Sequence, residues 1–348
     1  MPAHTREERF ESDIVEWLTT HGGYSEGVDS HYDPSTGLDT AELFAFLGAT
    51  QAEQWEKLVP RHGGDRDTAQ RKFVARLVSE LDRRGTVDVL RKGVEDQGLS
   101  FRLMFDRPAS GLNPTLLDLY GKNHLTVTRQ LHYSAANNNS LDLCLFVNGI
   151  PVATAELKNK LTHQSVDDAI TQYKTDRDPR DVLLGKRALV HFAVDHRLAY
   201  MTTRLAGNAT QFLPFNQGSA PGQLSCGEGN PPNPHGYATA YLWEQVWSYD
   251  AWIDILSRFV ESFDEGRGKP RRVVFPRFHH ASASWPSFGF GRDLAGSASS
   301  SSQTASASRR RPSSPSTTAL LARAPQASGV RRICSSNAFA APSRSPSC

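Results

Sequence analysis

No run of eighteen apolar residues occurs in this 348-residue chain, so no bilayer-spanning helix is expected and no membrane partner. The opening stretch, Met-Pro-Ala-His-Thr-Arg-Glu-Glu-Arg, has no apolar core, and a secretory signal is not expected. Cysteine is scarce: four residues, at 144, 226, 334 and 348, form no C-x-x-C pair and no zinc spacing with histidine. A disulfide framework is therefore excluded, and a reducing cytoplasmic setting fits. No G-x-x-x-x-G-K-[ST] phosphate loop exists, so no ATP site is assigned to these residues. Gly289-Phe-Gly-Arg-Asp-Leu-Ala-Gly296 misses the dinucleotide-binding glycine spacing. Lysine vanishes after residue 280: residues 281–348 hold eight Arg and one acid, Asp293. The chain's net charge of +2 thus hides a −5 balance over residues 1–280. Strong unaided binding to nucleic acid by that larger part is not expected.

What is present is concentrated in residues 140–159. Leu141, Leu143, Leu145 and Val147 alternate with Asp142, Cys144 and Phe146, the period of a strand. Asn148-Gly149 is a hairpin signal, since both residues tolerate positive φ. A second strand follows from about Ile150 to Lys158, with Val152, Thr154, Glu156 and Lys158 along one face. Parity poses a test. A strict two-residue turn pairs Val147 with Ile150 and sets Asp142 opposite Ala155, which puts Glu156 on the other face. Asp142 and Glu156 converge only if a three-residue loop or a bulge intervenes between residues 148 and 155. Pro151, which cannot donate to a ladder, favours such an irregularity.

If they converge, the set suits a divalent ion. Mg²⁺ prefers oxygen ligands and is held by one or two carboxylates plus substrate phosphate. A lysine at position 158 would add positive charge where a phosphodiester accumulates negative charge. An isolated D…ExK pattern also fits a strand-edge acid beside an exposed Glu156–Lys158 ion pair. The apolar setting weighs against that reading, because a charge placed there needs a partner or a function.

Downstream, Val166, Ala169, Ile170 and Tyr173 follow helical spacing, and Ser165 with Asp168 makes a capping box. That helix would bring Gln172 and Tyr173 near the hairpin. Read without function, Tyr173 is core and Gln172 a solvated polar residue. An opening helix is expected over about Arg6–Thr20, stopped at Gly22-Gly23, with further helices over Ala41–Leu47, Ala52–Leu58, Thr68–Arg83 and Tyr249–Ser262. Strands are expected over Leu125–Tyr133, Ala188–Val194 and Leu198–Thr203. The order predicts an α/β layer fold with a mixed β-sheet flanked by helices. Pro214–His235 reads as a long irregular loop, either a plain surface or one facing a partner.

Several phrases, in order, resemble the N-terminal part of the restriction (motor) subunit of type I restriction-modification enzymes. They include Phe10-Glu-Ser-Asp-Ile14, His21-Gly-Gly-Tyr24, Asn123-His-Leu-Thr-Val-Thr-Arg-Gln-Leu-His-Tyr133 and Asn139-Ser-Leu-Asp-Leu143. Others are Ala155-Glu-Leu-Lys-Asn159, Gln172-Tyr-Lys-Thr-Asp-Arg-Asp-Pro179, Tyr200-Met-Thr-Thr-Arg-Leu-Ala-Gly207 and Phe275-Pro-Arg-Phe-His279. The resemblance covers about residues 5–280. It implies a PD-(D/E)XK restriction-endonuclease-like core, Mg²⁺ dependence, double-stranded DNA as substrate, and modification and specificity subunits as partners. It places Asp142, Glu156 and Lys158 in catalytic roles and has Gln172 and Tyr173 assist near the scissile phosphate. Glu11 resembles an additional acid near the metal, although Glu7, Glu8 and Glu16 compete with it. ATP-driven translocation belongs to the full-length family.

The resemblance ends near residue 280, where His280 stands in place of the family's Gln. Residues 1–262 are expected to form the nuclease domain, 263–280 a linker, and 281–348 a disordered Ser/Ala/Pro/Arg-rich tail. The lysine-free character of the tail suggests a coding sequence read out of register; a natural flexible tail is the alternative. The functional expectation is an Mg²⁺-dependent endonuclease lacking its motor. A catalytically silent docking module and a standalone repair-type nuclease are its rivals.

Overall fold

A computed structural model describes residues 4–159, 164–218, 229–266 and 271–278. All of these fall in one compact unit, Met1–Arg292; the second unit, Asp293–Cys348, and with it the expected tail, lies outside the described residues.

Seven strands form one mixed sheet whose spatial order follows the chain: β1 Tyr24–Glu26, β2 Leu125–His132, β3 Ser140–Val147, β4 Ile150–Leu157, β5 Val190–Val194, β6 Ala199–Thr202 and β7 Leu213–Pro214. The β1–β2 and β4–β5 pairs are parallel and the other four antiparallel. Central β4 is buried at all eight positions, as expected where both faces are covered.

Helices α1 His4–Thr20, α2 Thr40–Arg61, α3 Arg66–Arg84, α4 Thr86–Lys92, α5 Pro114–Gly121, α6 Val166–Thr175 and α7 Tyr249–Asp254 surround this sheet. None of the described helices is long and apolar enough to cross a membrane. On one face a large core joins Phe10, Ile14 and Leu18 of α1 to Leu143, Leu145, Ala153 and Ala155. On the other, Val166, Ala169 and Tyr173 of α6 pack on Cys144 and Phe146. The expected capping box of α6 is present: Asp168 Oδ2 accepts from the Ser165 N–H at 2.7 Å. Asp39 and Asp65 cap α2 and α3 with their own side chains, which accept the Glu42 and Thr68 N–H groups.

The two helices expected within residues 41–58 are one element interrupted at Gln51, whose backbone leaves the helical region (φ −142°, ψ 36°). There the Gln51 amide bonds the Arg102 carbonyl and N–H at 2.9 and 2.7 Å, which anchors the break. Helices α4 and α5 were not anticipated; α4 is a short run between Gly85 and Gly93, both at positive φ. Within the stretch expected as a linker, the described residues 272–278 make contacts. Arg272–Val274 pairs with Glu261–Phe263, and Phe275 and Phe278 insert against Phe192, Phe215 and Tyr241.

The β3–β4 hairpin carries the bulge that convergence of the two acids requires. Val147 faces Ile150 and Phe146 faces Pro151, yet Leu145 faces Ala153, so Val152 is the extra residue. The tip itself is buried. Asn148 (φ 52°) accepts from the His124 N–H and donates to Leu103 O and Asn123 Oδ1. Gly149 (φ 79°) lies so close to α2 that a Cβ would sit 2.2 Å from Asp39 O. Gly149→Ala is therefore expected to destabilise the fold by about 3 kcal/mol or more, measured by denaturant unfolding, since both φ and space exclude a methyl group.

Candidate active site

With Leu143 opposite Ala155, Asp142 and Glu156 occupy the next rung on the α6 side of the sheet. Asp142, half-buried, accepts the Leu157 N–H on Oδ2 at 2.6 Å, which ties its carboxylate to the neighbouring strand. Glu156 is fully buried. Its Oε1 accepts from Arg177 Nε at 2.7 Å and Nη2 at 2.6 Å, while Oε2 has no hydrogen-bond partner. Burial, then repulsion from Asp142, pushes the Glu156 carboxyl up to about 8; Arg177 and Lys158 oppose the rise. Lys158, half-buried, follows the end of β4, where its N–H bonds Val194 O at 2.8 Å. The two acids share one rung, and the Lys158 charge acts on Glu156 from beyond the strand end.

Glu11 comes from α1 and approaches the pair indirectly. Its Oε1 accepts from Arg129 Nε at 2.6 Å and its Oε2 from the Gln130 amide at 2.7 Å. That amide also reaches Asp142 Oδ1 at 3.4 Å, and Gln130 Oε1 accepts from Ser140 Oγ at 3.0 Å. Gln130 adopts φ 45°, rare for a non-glycine residue, to span the two carboxylates. Among the described residues no group of three or more His, Cys, Asp or Glu could hold a metal ion. The acids brought together are the pair Asp142 and Glu156, with Glu11 behind them.

Gln172 and Tyr173 part company. Gln172 borders an open, polar cleft of about 560 Å³ with Asn138, Asn139, Ser140, Asp176 and Arg177. Tyr173 is fully buried, and its hydroxyl bonds Thr154 Oγ1 at 2.8 Å, which in turn meets His191 Nδ1 at 2.8 Å. Burial lowers the His191 pKa to about 4 and keeps the imidazole neutral. Tyr173 therefore braces the strand two residues before Glu156.

Arg177 and Gln130 had no assigned role in the sequence. Arg177 clamps Glu156, donates to Ser140 O at 2.6 Å and lies 5.5 Å from the centre of the Tyr133 ring. The signal that could have singled it out is general: a glutamate inside a strand otherwise free of charge needs a cation, and Lys174 and Arg177 stand at and just past the end of the following helix.

Residues 54–212 match a family described as the type I restriction enzyme R protein N terminus. The matched span contains Asp142, Glu156, Lys158, Gln172, Tyr173 and Arg177; Glu11 lies before it. No curated protein matches the chain.

Proposed function

We propose that this chain, whose residues 54–212 match the type I restriction enzyme R protein N terminus, carries that enzyme's Mg²⁺-dependent nuclease site on a PD-(D/E)XK-type core and cuts double-stranded DNA. The observation that carries the reading is the bulge at Val152, which sets Asp142 and Glu156 side by side and leaves a buried Glu156 oxygen unpartnered. An orphaned buried carboxylate oxygen is costly unless a cation completes it, and an all-oxygen donor pair suits Mg²⁺.

When bound, Mg²⁺ supplies Lewis acidity toward the phosphoryl oxygens and lowers the pKa of water. Asp142 and Glu156 would hold it; the Leu157 N–H and Arg177 fix the orientation of those two carboxylates. Glu11, through Gln130, keeps Asp142 from turning away. Lys158 places positive charge beside the pair, where the pentavalent phosphorus gathers negative charge. Gln172, at the cleft, is placed to hydrogen-bond a phosphodiester oxygen. Modification and specificity subunits deliver the duplex, in keeping with the −5 charge of residues 1–280.

Nicking of supercoiled plasmid in Mn²⁺, abolished by Asp142→Ala, tests the reading; equal nicking by both proteins would refute it. Arg177 adds a second handle. Because its charge opposes the rise in the Glu156 pKa, Arg177→Met should move the pH midpoint of Mn²⁺ binding upward by a unit or more. Calorimetric titration across pH 6–10 reads this, with Arg177→Lys expected in between.

A further inference from the structure

We propose that a second cavity, away from the acid pair, binds phosphate groups. It encloses about 630 Å³, within the usual range for ligand pockets, and is lined by Arg180, Lys186, Arg187, Arg204 and Arg271 against one acid, Asp82. Residues 1–280 carry −5, so this concentration of positive charge runs against its background.

The cations are incompletely neutralised. Asp82 serves two of them, Arg187 Nη1 at 2.7 Å and Lys186 Nζ at 3.1 Å. Arg180 pairs with Asp178 two residues before it, and Arg271 reaches Asp264 only at 3.6 Å; neither acid lines the cavity. Arg204 is exposed and has no ion pair among the described residues. Like charges gathered around one cavity repel each other, and a polyanion relieves that repulsion.

Arg187 is built in. It is 1 % exposed, and its Nε donates to Thr36 O at 3.0 Å. The Thr86 hydroxyl holds its carbonyl at 2.8 Å. Gly37, at φ 71°, leaves the space its side chain occupies, since a Cβ there would lie 2.9 Å from Arg187 Cγ. Guanidinium forks match phosphate oxygens in geometry and charge. The wall also includes Leu184 and Leu205, so a phosphorylated organic group has apolar surface to cover.

The cavity does not belong to the acid pair. Its Leu189 donates to Val152 O at 2.9 Å, at the start of β4, whereas Glu156 lies four residues further along, about 13 Å at strand rise. The proposal therefore stands independently of the nuclease reading.

The test is calorimetry in EDTA at low salt, with inorganic triphosphate and a short DNA duplex as separate titrants. Three proteins are compared: the native chain, the Arg180→Gln/Arg204→Gln double variant, and Glu156→Gln. Both substituted arginines are solvent-facing, and an unchanged thermal midpoint confirms intact folding. Triphosphate binding that falls at least tenfold in the double variant, with Glu156→Gln unaffected, supports the site. Duplex binding that triphosphate displaces and the double variant weakens equally assigns the phosphates to a DNA backbone; triphosphate binding alone assigns them to a free ligand. Absence of binding by either titrant, or binding that survives the double substitution, overturns the proposal.

Discussion

Glu156→Gln is expected to abolish Mn²⁺ binding and DNA cleavage while making the protein more stable at alkaline pH. The folded carboxyl titrates at about 8, against roughly 4.3 for an exposed glutamate. Between those values the native chain holds a proton that the unfolded chain has released. The contribution of this one group to stability is therefore fully present below about pH 4 and is lost as pH rises to about 8, by an upper bound on the order of 5 kcal/mol. Glutamine reproduces the protonated form in shape and charge, so it removes this fall without emptying the site. Variant and native protein should melt together near pH 4 and below, and the variant should melt higher by pH 9. Cleavage should drop by about three orders of magnitude or more, because a neutral amide cannot take the place of a carboxylate at the ion. Thermal melts at the two pH values, beside a Mn²⁺ titration, decide it. A variant that melts lower than the native protein at pH 9 would show that the buried carboxyl is stabilising when charged, and that Arg177 dominates.

The hairpin was legible because side-chain parity is unforgiving. Period-2 alternation located β3, Asn148-Gly149 located the turn, and the need for two acids on one face required an irregularity that Val152 supplies. The mixed sheet and the start of α6 followed from pattern and capping chemistry in the same local way. What lay beyond reach was long-range. Arg177 answers a glutamate 21 residues earlier, and Glu11 meets Gln130 across 119 residues. Tyr173 shows the opposite limit. Helical spacing placed it correctly toward the hairpin, but only its bond to Thr154 separates a bracing role from contact with substrate. Phe275 and Phe278 followed a glycine-rich, charged stretch that has the composition of a hinge, and their partners on β5 and in the 213–241 region are far away in sequence.

Lys158→Met should separate chemistry from ion binding. The side chain is half-buried beyond the end of β4, and its charge lowers the Glu156 pKa, though less than Arg177 does. Losing that charge has two opposed consequences at the ion. The carboxyl holds its proton slightly more tightly, which weakens binding, and a nearby repulsive cation disappears, which strengthens it. Mn²⁺ affinity is accordingly expected to change by less than about threefold at pH 8, a difference below 1 kcal/mol. Cleavage answers to a different quantity. A cation fixed beside the phosphorus stabilises charge that develops only as the bond to the leaving oxygen breaks, and removing one such preorganised group typically costs about 10²–10³ in rate. Single-turnover nicking at saturating Mn²⁺, set beside calorimetric affinity for the same protein, reads both. A variant that loses ion binding in proportion to rate would make Lys158 a structural support of the carboxylate pair. A variant that nicks at the native rate would place the charge-stabilising group elsewhere, with Gln172 at the cleft the next residue to substitute.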